Sequence, residues 1–158
     1  MKILGVHSFT HNLGAAICEN GRITYAVEEE RFSRIKHHPV IEHGGKPPYS
    51  SIQYVLERSG IDLKSVDAIV HSGWPGDNLN KPDAARKSYR EFSRELDKSG
   101  DKTLFVDHHM SHAASAYYAS GFDRSLAVVI DGGGDWLSTS LYSCENGKIE
   151  RVDEYFLV

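Results

Sequence analysis

Apolar and polar positions alternate at the two ends of the chain and follow a helical spacing in the middle. Ile3, Leu4 and Val6 make Lys2–His7 a strand. A loop over 8–14 leads to a second strand over Ala15–Cys18, and Asn20-Gly21 is a strong signal for a type I′ hairpin turn into a third strand, Arg22–Val27. A dense charged run, Glu28 to His38, reads by itself as a solvated short helix and loop. Gly44, Gly45, Pro47 and Pro48 mark a further loop. Ile52, Val55 and Leu56 then recur at helical spacing in Tyr49–Ser59, which Gly60 ends. Ala68–Ser72 is a short strand, and the loop 73–80 with Pro75 and Gly76 is long enough to suspect substrate contact. Pro82–Lys98 is expected as a charged helix burying Tyr89, Phe92 and Leu96, followed by a strand over Thr103–Val106. The unbroken apolar run Leu126–Ile130 predicts a strand buried on both faces.

Part of this pattern occurs twice. Cys18-Glu19-Asn20-Gly21-Arg22-Ile23 returns as Cys144-Glu145-Asn146-Gly147-Lys148-Ile149, and at the same offset Lys2–Val6 falls on Val128–Gly132. Convergent use of a good hairpin turn explains some of this; internal duplication of a strand–loop–strand–turn–strand unit explains more. With no low-complexity segment between the copies, one compact α/β unit is expected.

Composition narrows the class. A chain of 158 residues, 40% hydrophobic, is long enough for one domain burying about 68–70% of its unfolded surface. A net charge of −4 gives no global attraction to nucleic acid or anionic membrane. No stretch approaches a membrane span, and the apolar run after Met1-Lys2 is broken by His7, so no signal peptide is expected. Two cysteines far apart in sequence, Cys18 and Cys144, are no disulfide framework; a reduced, cytoplasmic setting is the default.

The chemistry concentrates between Phe105 and Trp136. Asp107 suits a helix N-cap, and the Ala-rich run Ala113–Ala119 favours helix. His108 and His112, four residues apart, then lie on one face, and two imidazoles so placed can grip one metal ion. Asp131, at the end of the apolar strand, can supply a carboxylate, and two His plus one carboxylate is a common shell for a divalent first-row metal. Gly132, Gly133 and Gly134 are expected to form a turn whose N–H groups make a phosphate-binding nest. The competing reading is plainer: ordinary polar helix residues and a simple Asp-Gly turn.

Four stretches together resemble the N-terminal part of the NodU/CmcH-type O-carbamoyltransferases. They are Ile3-Leu4-Gly5 with His11 and Ala15-Ala16; the run from Val27 through Glu28-Glu29-Glu30-Arg31-Phe32-Ser33-Arg34-Ile35-Lys36 to His37; Asp107-His108-His109-Met110-Ser111-His112-Ala113-Ala114-Ser115-Ala116; and Val129-Ile130-Asp131-Gly132. The resemblance implies an actin/Hsp70-like (ribonuclease H-like) α/β fold, the one shared with sugar kinases and with the threonylcarbamoyl-transferring tRNA-modifying enzymes. Expected boundaries are 1–122 for a first subdomain and 123–158 for the opening hairpin of a second. The resemblance further implies ATP and carbamoyl phosphate as co-substrates, carbamoyladenylate as intermediate, and a hydroxyl acceptor, either a small molecule or a modified nucleic-acid base. His108, His112 and Asp131 match the metal-ligand positions, for iron, manganese, zinc or magnesium. His11 matches a loop histidine near the reacting carbonyl, a candidate general base. Gly132–Gly134 match the phosphate contact, and Glu29, Arg31, Arg34 and Lys36 are candidates for substrate binding without assigned roles.

Two departures qualify this. Such enzymes typically carry His-Asp in the first loop, whereas His11 is followed here by Asn12, so carboxylate support there is lost. The chain is also far shorter than a whole enzyme of this kind. The chain is therefore expected to be either a fragment of such an enzyme or one part of a split one, with a second protein chain supplying the remainder, including the adenylate-forming domain, which makes a hetero-oligomer. Two rival functions stay open: a non-catalytic nucleotide- and metal-binding regulatory subunit, and a small metal-dependent hydrolase using the His pair without ATP.

Overall fold

The computed structural model describes residues 1–8, 12–38, 46–73 and 83–156, the side chains of 83–86 excepted. The chain divides into two compact units, Met1–Phe105 and Val106–Val158.

The first unit is a mixed sheet with helices. Strands β1 (Lys2–His7), β2 (Gly14–Glu19) and β3 (Arg22–Glu28) form an antiparallel meander, with β4 (Ala68–Ser72) parallel to β1 and β5 (Thr103–Val106) outermost, in the order β3-β2-β1-β4-β5. The β2–β3 turn has the left-handed residues expected of Asn-Gly: Asn20 at φ 50° and Gly21 at φ 82°. Gly14 is required by close approach, since a Cβ there would lie 2.7 Å from the Val27 carbonyl oxygen.

After the short helix α1 (Glu30–Ser33), helix α2 (Tyr49–Ser59) buries Ile52 and Val55, and stops at Gly60, φ 68°, whose N–H donates to the Leu56 and Glu57 carbonyls. Helix α3 (Asp83–Leu96) buries Tyr89 and Phe92, the expected stripe. It ends before Lys98 because Asp97 leaves the helix to accept from the Lys102 N–H (2.8 Å) and the Ser99 and Thr103 hydroxyls (both 3.0 Å). Leu4, Val6, Ile17, Ile52, Val55, Ile69 and Phe92 form the core. Burying each such side chain stabilises the fold by about 1.5–3 kcal/mol.

The second unit consists of helix α4 (His108–Ser120) and the meander β6 (Arg124–Gly134), β7 (Leu137–Glu145) and β8 (Lys148–Phe156). Its core is Ala113, Tyr117, Val129, Tyr142 and Cys144. That packing puts α4 with β6–β8, so the units divide at Phe105/Val106 and not at the expected 122/123.

The duplication is visible in hydrogen-bonded detail. Cys18 pairs with Ile23 and Cys144 with Ile149; Asn146 and Gly147 repeat the turn at φ 52° and 74°. The Asn20 N–H donates to the Met1 carbonyl at 2.8 Å, and the Asn146 N–H to the Asp123 carbonyl at 3.1 Å. The equal-offset alignment needs correcting, however. Lys2 pairs with Glu19 and Arg124 with Glu145, so the counterpart of Lys2 is Arg124 and not Val128. The β6–β7 hairpin is simply longer.

Two other expectations are corrected in β6. Val129 is buried, but Leu126, Val128 and Ile130 are 58%, 53% and 79% exposed, so the strand is covered on one face only. The glycines do not form the turn either. The ladder passes from Ile130↔Thr139 to Gly134↔Leu137, leaving Asp131, Gly132 and Gly133 as a bulge. The chain reverses at Asp135-Trp136, both left-handed at φ 49° and 70°.

Candidate metal centre

Helix α4 begins where Asp107 turns its carboxylate back to accept from the Met110 N–H at 2.8 Å. A second carboxylate, Asp135 on the β6–β7 turn, accepts from the His108 N–H at 2.9 Å. Asp107 is itself held by Arg151 of β8, whose Nη2 lies 2.7 Å away, while Arg151 Nη1 binds Glu154 at 2.7 Å and its Nε donates to the Tyr142 hydroxyl at 3.2 Å.

The helical repeat then brings His108 and His112 together, with their Nε2 atoms 3.0 Å apart. Asp131 Oδ2 lies 2.7 Å from His108 Nε2 and 3.7 Å from His112 Nε2. A cation bound at about 2.0–2.1 Å from each ligand holds adjacent ligands about 3.0–3.4 Å apart, octahedral to tetrahedral, and the sides of this triangle, 2.7, 3.0 and 3.7 Å, bracket that range. Its chemistry fits as well. One neutral imidazole N–H cannot align on both Asp131 and the second imidazole, so any single proton leaves two lone pairs face to face; a divalent cation satisfies all three donors. Burial pushes the Asp131 carboxyl up, but the His108 ring, the Gly132 N–H and the nearby imidazole charges outweigh it and hold the group below its ordinary value. Two imidazoles with one carboxylate suit a first-row metal better than magnesium, which prefers oxygen ligands.

His109, the middle member of the run, does something else. It is fully buried, with Nδ1 2.7 Å from the Ser140 hydroxyl and Nε2 without a hydrogen-bond partner among the described residues. Burial, then the neighbouring His108, lower its pKa, so it is a neutral core residue.

The glycines divide in role. Gly132 faces open space, whereas a Cβ on Gly134 would fall on the His108 ring, 2.6 Å from Cγ and 2.7 Å from Nε2. Gly132 and Gly133 lie in the bulge, and Gly134 pairs with Leu137.

The charged run lies in the first unit. Glu29 is buried there and already committed: its carboxylate accepts from the Ser50 N–H (3.3 Å), the Ser51 N–H (2.7 Å) and the Ser51 hydroxyl (2.6 Å), so it caps α2 across the fold. That role displaces the substrate-binding expectation for Glu29. Arg31 is exposed and sits 3.8 Å from Glu28 and 3.5 Å from Glu30. Arg34, left-handed at φ 60°, ends α1 and is exposed, as is Lys36. Asn12, noted from sequence as a departure, and His37, not proposed as a site residue, join this cluster: Asn12 Nδ2 is 3.4 Å from Glu28 Oε1, and its Oδ1 is 3.2 Å from His37 Nδ1. The replacement of the usual loop Asp by Asn12 is the one signal that points to it. His11 and the loop 74–80 lie outside the described residues.

Residues 2–93 and 84–156 match the family model of the carbamoyltransferase N-terminus. An uncharacterized protein of Synechocystis sp. is 32% identical over 93% of this chain, and the nodulation protein NolNO of Sinorhizobium fredii is 37% identical over 84% of it. The chain spans 28% and 21% of those two relatives. Among solved structures, YeaZ from Pseudomonas aeruginosa superposes with a TM-score of 0.60 at 19% identity, covering 99% of this chain and 67% of that one. The fold is that of the actin/Hsp70-like ATPases.

Proposed function

The chain belongs to the carbamoyltransferase N-terminal family, and from that premise we propose that it is part of an ATP-dependent O-carbamoyltransferase. The convergence of His108, His112 and Asp131, with their ligand atoms 2.7–3.7 Å apart, carries the reading. In the proposed reaction an acceptor hydroxyl oxygen bonds to the carbamoyl carbon of carbamoyladenylate, the bond from that carbon to the adenylate phosphate oxygen breaks, and AMP leaves. The hydroxyl proton passes to a base, for which His11 is the candidate. Carbamoyl phosphate and ATP are the proposed sources of the adenylate.

His108, His112 and Asp131 would hold a divalent cation, iron, manganese or zinc before magnesium, which when bound anchors phosphate and offsets charge on the leaving group. The residues' own part is to present three donors from one side, leaving the other side for phosphate. Gly132, without a side chain, leaves open space beside Asp131. The start of α4 is no rival phosphate site, because the Asp107 and Asp135 carboxylates already occupy it. Arg31, Arg34 and Lys36 supply exposed positive charge for an anionic substrate.

The uncovered face of β6 supports a further part of the reading. Leu126, Val128 and Ile130 are a row of large apolar side chains in water, and such a row normally marks an interaction surface. We place the remainder of the enzyme there, carried by a second chain. A cytoplasmic setting is proposed with it; no helix among the described residues is long and apolar enough to cross a membrane.

The test supplies the protein, with its completing chain, with ATP, radiolabelled carbamoyl phosphate and a panel of hydroxyl acceptors. Label transferred to an acceptor with release of AMP is expected. Nucleotide and metal binding with no transfer to any acceptor would favour the regulatory function instead.

A further inference from the structure

We propose that Gly134 and Asp135, on the hairpin between β6 and β7, are positioning residues that preset the His108 imidazole for the cation site; this rests on the metal reading above. The turn itself is the first clue. Where this chain needs only to reverse direction it uses Asn-Gly, at Asn20-Gly21 and again at Asn146-Gly147. At Asp135-Trp136 the same left-handed geometry is imposed on an aspartate and a tryptophan, φ 49° and 70°, conformations that cost an L-residue with a Cβ and that persist where surrounding contacts over-determine them.

Those contacts converge on one residue. The Asp135 carboxylate accepts from the His108 backbone N–H at 2.9 Å and thereby ties the turn to the first residue of α4. One position earlier, Gly134 lies flat against the imidazole, so close that an added Cβ would overlap it. The bulge at Asp131–Gly133 completes the arrangement. By taking residues out of the ladder between Ile130 and Gly134, it lets both Asp131 and Gly134 address the same ring, one at Nε2 (2.7 Å) and the other against its side. The backbone, one ring edge and the ring's flank are therefore all set by a nearby stretch of β6 and its turn. His112 is 54% exposed against 20% for His108, so His108 is the more enclosed ligand of the pair.

The experiment uses the full chain and five variants: Gly134→Ala, Asp135→Ala, Asp135→Asn, His112→Ala and His108→Gln. In metal-free protein, the 15N-labelled imidazole resonances of His108, identified by their loss in His108→Gln, should shift and broaden in Gly134→Ala and Asp135→Ala. In Asp135→Asn they should stay near their original positions, since the amide oxygen still accepts. Zinc titration should show affinity lower by about 10–100-fold in the first two variants, the size typical of residues that orient a metal ligand. Unmoved His108 resonances in both Gly134→Ala and Asp135→Ala would overturn the proposal, whatever metal does. Equal zinc affinity in the original protein and His112→Ala would instead overturn the cation site, with the resonances still deciding the positioning claim. If Gly134→Ala fails to fold, Asp135→Ala against Asp135→Asn carries the same comparison.

Discussion

The Arg151 guanidinium lies 2.7 Å from the Asp107 carboxylate, so a residue near the end of the chain secures the N-cap of the helix that presents both imidazoles. Burial opposes its charge, but the Tyr142 hydroxyl, Asp107 and Glu154 outweigh that and hold Arg151 well above its ordinary pKa. Arg151→Met keeps most of the stem and removes the fork. We expect a loss of about 1.5–3 kcal/mol, the range for hydrogen bonds to charged groups, read as a lower urea midpoint. An unchanged midpoint would mean that Asp107 caps α4 without help.

The three histidines of α4 should separate cleanly. His112→Ala removes a ligand and should lower zinc or manganese retention by more than about 100-fold, beyond what loss of an orienting residue does. His109→Gln disturbs a fully buried ring bonded to Ser140 and should lower the melting temperature while metal affinity stays near its original value. Elemental analysis of dialysed protein alongside thermal melts checks both halves.

What the sequence makes legible is what local spacing determines. The i, i+4 repeat places His108 and His112 together in any α-helix, and Asn-Gly predicts its own turn geometry, so both are readable without a structure. The apolar run Leu126–Ile130 looks the same whether one face or both are covered, and only the packing of α4 on Val129 decides. The bulge that brings Asp131 and Gly134 to one ring is a matter of register with β7, which composition does not encode. Glu29 sits in a run of charges and reads as solvated; its burial follows from the approach of the α2 N-terminus some twenty residues on.

Glu29→Gln tests that last assignment. Burial pushes the carboxyl up, but bonds from Ser51 and Ser50 outweigh it and bring the pKa below its ordinary 4.5. A carboxyl depressed in the fold contributes stability that is present above the unfolded value and lost as pH falls through the folded one. The variant should therefore be less stable near neutrality, by about 1–3 kcal/mol, and should lose part of the acid-induced decline below pH 4.5. Substrate-dependent changes with no change in stability would return Glu29 to a binding role.

The bare face of β6 predicts association behaviour. Val128→Thr with Ile130→Lys changes two side chains that are 53% and 79% exposed, so folding stability should shift little. Self-association seen by light scattering should fall, because a contiguous apolar patch and an open strand edge are removed or charged. Binding to the proposed completing chain should weaken in parallel; if it persists at full strength, that proposed chain docks elsewhere.

His71 contributes to the pH response between 6.5 and about 4. The ring is 2% exposed, stacked on Phe105 at 5.1 Å between centroids and edge-on to Phe92 at 6.1 Å, with Nε2 lacking a hydrogen-bond partner among the described residues. Burial lowers its pKa from 6.5 to about 4. As pH falls below 6.5 the unfolded chain takes up a proton that the folded chain refuses until about pH 4, so stability drops through that interval, by about 3 kcal/mol when the shift is converted at 1.36 kcal/mol per unit. The buried carboxyl of Glu29 is held below its ordinary value, so its loss of stability falls at the lower end of the interval. His71→Leu keeps the volume and removes the proton site. Urea unfolding at steps from pH 7 to pH 4.5 should show a shallower decline in the variant than in the original chain, and parallel curves would mean that the His71 ring reaches water before the fold gives way.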